Sequence, residues 1–475
     1  MKVIKNFIYN FLYKILTIIL PLITVPYVTR IFSPDIMGGY NYTASITAYF
    51  TMFGMLGIIT YGSNQIAKVS HRSKEEISHT FSSIYYFQLL TTSISLLTYL
   101  VYIFIFPGQF QTYFIMQILT VVASMIDISW LFQGVEDFKN IVIRNTIIKL
   151  LSVLCIFIFI KEPSDIYLYV FVLSISALIS QLIMWLNVRK YVDLVKIPGH
   201  EILAHFRPTI AFFLPQISIS IYNTLDRILL GSLGSIADVG LYTQAININA
   251  ILINVVATLS AVLLPRMTNL HAQGKKEEVK RVMTLSMLFN SLITFPIVIG
   301  MLLVSQEFVR LFFGSSYSEA YIAINIIVFA LVPIAFSEIV GRQTLIPTDN
   351  VKYFTVSVFT GAIISVLLNS VLIPNFGYRG AGVTMVIVET IVCALMTYFA
   401  RNYLDLKQLS IIAIKPLVCS IVTGLSVYFI FQFITIKSDF MSIAMKVVVF
   451  GVIYGVLLVL TRTITKKEFG VLRGR

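Results

Sequence analysis

The stretch Phe440-Met-Ser-Ile-Ala-Met-Lys-Val-Val-Val-Phe-Gly-Val-Ile-Tyr-Gly-Val-Leu-Leu-Val-Leu-Thr461 carries a single charged side chain, Lys446. About 20 mostly apolar residues cross the hydrocarbon of a bilayer as a helix. The stretch lacks the strict apolar–polar alternation of a barrel strand, and an unpaired backbone cannot sit in lipid any other way. It is therefore read as a membrane-spanning helix. Working back towards the N-terminus, the same pattern recurs over 412–434, 380–400, 352–373, 318–340, 282–304, 240–264, 208–231, 165–186, 141–160, 112–132, 81–106, 37–61 and 7–30. The fold class that follows is an all-α polytopic membrane protein with about 14 transmembrane helices.

Composition agrees. Of the 475 residues, 57% are hydrophobic and 12% are charged, against about a quarter charged in an ordinary soluble domain. The mean hydropathy of +0.88 leaves too much apolar surface for water. A formal net charge of +13 would suggest nucleic acid in a soluble chain. Here Lys and Arg are dispersed over connections, which is the habit of cytoplasmic loops, so a nucleic-acid partner is not expected. Cys155, Cys393 and Cys419 lie in apolar stretches at spacings of no metal or disulfide framework, and the five histidines fall in polar connections, so no metal or cofactor is expected. The apolar N-terminus after Met1-Lys-Val-Ile-Lys5 has no small-residue cleavage site and reads as a retained first helix.

The connections alternate in charge. Twenty-five of the 35 Lys and Arg fall in connections of one parity and five in the other. That bias places both termini in the cytoplasm and favours an even number of spans. The outer connections are short, the longest being 305–317, which leaves no room there for a folded catalytic domain. Two inner ones, 187–207 and 265–281, are long enough for short surface helices.

An internal repeat organises the chain. Arg30-Ile-Phe-Ser-Pro-Asp-Ile-Met-Gly38-Gly-Tyr40 follows the first span, and Arg227-Ile-Leu-Leu-Gly231 through Asp238-Val-Gly240-Leu-Tyr242 follows the seventh. Each gives Arg-Ile, a turn, an Asp, then Gly-x-Tyr. Both turns lie on the outer side, so the repeat is parallel, about an axis along the membrane normal. The expected organisation is two pseudo-symmetric six-helix bundles, 1–190 and 191–404, followed by two extra C-terminal helices and a tail over 405–475.

Four passages carry a resemblance: Tyr27-Val-Thr-Arg30 with Gly38-Gly-Tyr40; Trp130-Leu-Phe-Gln-Gly-Val-Glu-Asp-Phe-Lys139; Asp226-Arg-Ile-Leu-Leu-Gly231 with Val239-Gly-Leu-Tyr242; and Asn369-Ser-Val-Leu-Ile-Pro374-Asn-Phe-Gly-Tyr-Arg-Gly-Ala381-Gly-Val-Thr384. In this order, along fourteen spans, they resemble polysaccharide-repeat flippases of the Wzx type, in the multidrug/oligosaccharidyl-lipid/polysaccharide exporter superfamily. The resemblance implies a bacterial cytoplasmic-membrane flippase, not an enzyme, that moves undecaprenyl-pyrophosphate-linked oligosaccharide repeat units to the outer leaflet by alternating access, for capsule or O-antigen export. It implies the lipid-linked oligosaccharide and membrane lipids as partners, with a polysaccharide polymerase and chain-length machinery as further ones. It also implies that the last two helices form a groove for the lipid tail. The alternatives are a multidrug or cation antiporter or a lipid II-type flippase of the same superfamily, then a membrane glycosyltransferase or polymerase. The last requires clustered carboxylates on a long polar loop, and none occurs.

A flippase makes and breaks no covalent bond. It needs cations for pyrophosphate, and arginine suits that role because its planar fork gives bidentate, charge-assisted hydrogen bonds. Charges at membrane depth cost about 2.5–3.5 kcal/mol on insertion scales, so the few present are informative. The candidate substrate-binding cations are Arg30 and Arg227, at equivalent places in the two repeats, with Lys14 and Lys149 on the cytoplasmic halves of their spans. Snorkelling to the headgroups is the alternative for each. Asp226 and Arg227 are neighbours, so on a helix they point about 100° apart and each needs its own partner. The acids Asp127, Asp226, Glu338 and Glu389 either pair with cations or hold a coupling Na⁺ or H⁺. Pairing suits Asp127 and Glu338 best, and Glu389 is the coupling candidate. Prolines 21, 26, 215, 296 and 333 permit bends within spans. Lys446 stands deep in the last span with no evident partner.

Overall fold

The computed structural model describes residues 19–106, 108–348, 350–434 and 436–463, and every regular element among them is helical. In chain order these are α1 (Ile19–Ile31), α2 (Pro34–Met55), α3 (Ile58–Val69), α4 (Lys74–Ile105), α5 (Gln111–Met125), α6 (Ser129–Gly134), α7 (Phe138–Phe159), α8 (Ile166–Trp185), α9 (Gly199–Ala204), α10 (Phe206–Leu233), α11 (Ile236–Ala272), α12 (Lys276–Phe312), α13 (Ala320–Ile327), α14 (Leu331–Ser337), α15 (Val351–Ala400), α16 (Leu406–Gln432) and α17 (Asp439–Leu460). Thirteen of the fourteen expected spans, and the described end of the first, fall on these helices. The first half of span 1, with Lys14, and the C-terminal cations Lys466, Lys467, Arg473 and Arg475 lie outside the described residues.

The differences from the expected boundaries are local and have causes. Span 2, expected as one helix over 37–61, breaks where Leu56 and Gly57 both take positive φ (42° and 75°), and α3 restarts at Ile58. Span 4 breaks at Ile126–Ile128 and restarts as α6. The 187–207 connection does carry a short helix, α9. The 265–281 connection does not, because α11 and α12 extend until only Gln273, Gly274 and Lys275 separate them. Glu338–Leu345, after α14, forms a π-helical segment, a rare geometry that collects at functional sites.

Spans 11 and 12 are the two limbs of α15, divided at Gly377 (φ 55°, ψ −134°). The limbs fold back on one another: a Cβ added at Gly380 would stand 2.3 Å from the carbonyl oxygen of Leu372. At Gly377 a Cβ would stand 2.3 Å from Asp238 Oδ2, at the start of α11. Gly377→Ala therefore combines a steric overlap with a left-handed backbone, which costs a β-carbon-bearing residue about 1–2 kcal/mol. The expected result is a lower thermal midpoint in detergent, read by tryptophan-independent dye unfolding, while Gly300→Ala, where a Cβ meets nothing within 4 Å, leaves it in place.

The described chain divides into two compact units, 1–231 and 232–475. In the first, α2, α4, α5 and α8 pack together, with α3 and α6 closing one end. Its core at that end gathers Ile58, Ile66, Phe81, Ile84, Trp130, Leu131 and Phe132. In the second, α11 and α12 pack with each other and with α13 and α14, α15 lies against α11, α13 and α14, and α16 and α17 lie against α12. Outward residues such as Leu97, Phe104, Leu367, Val448 and Val459 are apolar and exposed, as a surface that meets lipid tails requires.

Candidate functional site

The Trp130 passage is built for packing. Trp130 is fully buried, stacks on Phe81 (5.2 Å between centroids) and donates its indole N–H to Gln88 Oε1 at 2.9 Å. Gln88, itself buried in α4, turns its amide N–H groups to the carbonyls of Ser124 and Asp127, both at 2.9 Å. Those carbonyls close α5 and would otherwise lack partners. The glycines let α6 approach α3: a Cβ at Gly62 would stand 2.7 Å from Trp130, and one at Gly134 would stand 2.6 Å from Ile66. Asp127 Oδ1 accepts the Ser129 backbone N–H at 2.8 Å, which satisfies the first N–H of the restarted helix. Gln88 was not singled out in the sequence. A lone carboxamide in an apolar span was its signal.

Arg227 and Asp226 lie six and seven residues before the end of α10. Asp226 is buried, at 7% exposure, and Arg227 is half-buried. Each has a tyrosine of α2 as a neighbour, Tyr40 for Arg227 and Tyr49 for Asp226. The Tyr49 hydroxyl also donates to the Ser220 carbonyl at 3.3 Å. Gly231 brings the end of α10 so near α2 that a Cβ would fall 2.2 Å from Tyr42. Arg227 thus stands beside an aromatic, hydroxyl-bearing face of α2.

Arg30 is exposed, and its Nη1 donates to the Pro26 carbonyl one turn back at 3.0 Å. Lys149 is exposed on α7. Nearby, Arg144 is buried and its guanidinium meets Asn145 Oδ1 (2.6 Å) and Gln181 Oε1 (3.4 Å). In the second unit, Glu338 pairs with Arg342 one turn on, at 3.2 Å. Glu389 is buried on the second limb of α15, at 7% exposure. A seam of buried polar side chains runs through this unit: Thr243, Gln244 and Asn249 on α11, and Ser286, Asn290 and Thr294 on α12. Asn290 Nδ2 reaches the Ala335 carbonyl at 3.1 Å, just before the π-helical segment. Sequence reasoning from charges alone passed over this uncharged seam.

On the side that the charge bias assigns to the cytoplasm, His205 precedes α10 and joins it to two helices. Its Nδ1 bonds Tyr61 Oη and its Nε2 bonds Ser83 Oγ, each at 2.7 Å. Burial pushes the imidazole below its usual range, and Glu201, paired with His79 at 3.3 Å, partly opposes this. A group held neutral by folding stabilises the protein above its unfolded pKa, about 6.5, and that contribution is lost as pH falls below it. Unfolding of the purified protein is therefore expected to shift to lower temperature on going from pH 7.5 to 5.5, and His205→Gln is expected to flatten that slope.

A family model described as "Polysaccharide biosynthesis protein" matches residues 3–271, and a second, MatE, matches 211–371. The chain belongs to the polysaccharide biosynthesis protein family, within the superfamily that its motifs resemble. It is 25% identical over 406 residues to the "Putative O-antigen transporter" of Escherichia coli K12, covering 84% of this chain and 96% of that one. It is 24% identical to the "Capsular polysaccharide biosynthesis protein CapF" of Staphylococcus aureus, over 83% and 98% of the two chains. In fold it is similar to the lipid II flippase MurJ, with a TM-score of 0.75 and 13% identity over 97% and 99% of the two chains. A multidrug-resistance transporter of the MATE family follows, at 0.63 and 14% over 81% and 94%. The chain is a multi-pass membrane transporter and not an enzyme.

Proposed function

We propose that this protein is a flippase for lipid-linked oligosaccharides, carrying undecaprenyl-pyrophosphate-linked repeat units from the inner to the outer leaflet by alternating access, for export of a surface polysaccharide. The observation that carries the reading is Arg227: a cation within a membrane-spanning helix, set beside Tyr40 and next to buried Asp226, in a chain of the polysaccharide family. A guanidinium suits the pyrophosphate. Tyrosine faces and hydroxyls suit sugars. Arg30 and Lys149, both exposed, and Lys14 are the further cations of this reading. Glu389, buried on the second limb of α15, is the acid assigned to a coupling Na⁺ or H⁺. Both termini are placed in the cytoplasm by the charge bias, and a polymerase with its chain-length partner would take up the delivered units outside.

The names of the two relatives support the polysaccharide substrate over a drug. The pairing of Glu338 also removes one acid from the set that a cation antiporter would use. The experiment is deletion of the gene with measurement of where lipid-linked repeats accumulate. This reading requires build-up of full-length repeats on the cytoplasmic leaflet with loss of surface polymer. Normal polymer with no build-up would refute it.

A further inference from the structure

We propose that the end of the second unit where α12 approaches α17 holds a binding site for a zwitterionic aminophospholipid, with the phosphate on Lys446 and the amine on Glu307. Lys446 Nζ forms an ion pair with Glu307 Oε1 and donates to the Leu303 carbonyl at 3.0 Å, while Ser442 Oγ donates to Glu307 at 3.4 Å. The two charged side chains remain 16% and 17% exposed. That exposure comes from a pocket of about 510 Å³ that both of them line, together with Gln306, Tyr321, Asn325 and Gln432. Asn325 Oδ1 is buried there without a hydrogen-bond partner among the described residues. A polar atom in that condition costs about 1–3 kcal/mol unless something outside the chain satisfies it.

A second, apolar groove of about 370 Å³ adjoins this pocket, lined by Pro296, Ile297, Gly300, Val447, Phe450 and Gly451, and Lys446 and Leu303 line both. A Cβ at Gly300 or Gly451 would meet nothing within 4 Å, so the glycines leave the groove open instead of packing the helices. The order along the surface is therefore apolar groove, Lys446, Glu307. An aminophospholipid has the same order: acyl chain, phosphate, ammonium. A net-neutral pair does not suit a purely anionic headgroup, because Glu307 repels it. It suits a headgroup that brings both charges, each meeting its opposite. Lysine also sets its ammonium at headgroup level by snorkelling, and Lys446 is seven residues into α17.

The test uses the full-length protein in detergent, titrated with phosphatidylethanolamine or phosphatidylglycerol of identical acyl chains, with binding read by native mass spectrometry and thermal shift. Phosphatidylethanolamine is expected to bind about tenfold more tightly, a difference of about 1.4 kcal/mol. The double exchange Glu307→Lys with Lys446→Glu keeps an ion pair but reverses the charge order, so it is expected to abolish that preference while the lipid-free midpoint stays near wild type. Gly451→Leu puts a side chain into the groove at a position where a Cβ meets nothing within 4 Å and is expected to remove binding of both lipids, which keeps the site testable if the exchanged pair fails to fold. Equal or tighter binding of phosphatidylglycerol or of a polyprenyl phosphate, both anions without an amine, would overturn the assignment. So would an exchanged pair, or Gly451→Leu, that binds phosphatidylethanolamine like wild type.

Discussion

Arg227→Ala is expected to insert at wild-type levels and to lose roughly tenfold or more of polymer export in cells whose own copy is deleted. The magnitude follows from the chemistry. A hydrogen bond to a charged group contributes about 1.5–3 kcal/mol, and each 1.4 kcal/mol is a factor of ten. Arg227→Lys keeps the charge but loses the fork, and an intermediate export level is expected. Arg30→Ala supplies the contrast. Its guanidinium folds back on Pro26, so full export by that variant together with failure of Arg227→Ala would assign Arg30 to anchoring and Arg227 to substrate. Protein level and surface polymer, measured in the same cells, check both. Full export by both variants would remove the cationic site from this end of the molecule.

Trp130→Ala is expected to be the most damaging single core substitution in the first unit. Truncating a buried tryptophan costs about 3–5 kcal/mol, and here it also deprives Gln88 Oε1 of its donor and leaves a void against Gly62, where a Cβ would stand 2.7 Å from the indole. Gln88→Leu is expected to be nearly as harmful, since the carbonyls of Ser124 and Asp127 then lack a donor at about 1–3 kcal/mol each. Thermal unfolding in detergent, followed by size-exclusion monodispersity after heating, checks both. A Trp130→Phe protein that keeps its stability would show that ring volume, and not the indole N–H, matters most.

The spans were legible because each is long, continuous and nearly uncharged, a pattern that only a lipid-facing or deeply buried helix sustains. Their interruptions were harder to see. Leu56 in a left-handed conformation has no composition signal, whereas the turn at Gly377 falls in the 374–379 connection expected between spans 11 and 12. The charged candidates were found by residue type, but type does not give direction. Glu338 was expected to pair with a cation, and its partner is Arg342, one turn on in its own segment. Lys446 had no evident partner in the sequence because Glu307 lies 139 positions away. The buried seam of Asn, Gln, Ser and Thr on α11 and α12 escaped notice for the opposite reason. Uncharged polar residues are ordinary in membrane helices, and only burial distinguishes these.

The most direct test of the flippase reading is transbilayer movement itself. Purified protein would be reconstituted into vesicles holding a lipid-linked oligosaccharide in both leaflets, and the fraction open to an added, membrane-impermeant glycosidase would be followed in time. The reading predicts that cleavage proceeds past the outer-leaflet pool towards completion in vesicles carrying wild-type protein, and that with Arg227→Ala the phase beyond half is slower by roughly tenfold or more. Cleavage that stops near half with wild-type protein, under imposed Na⁺ and H⁺ gradients of either direction, would contradict it.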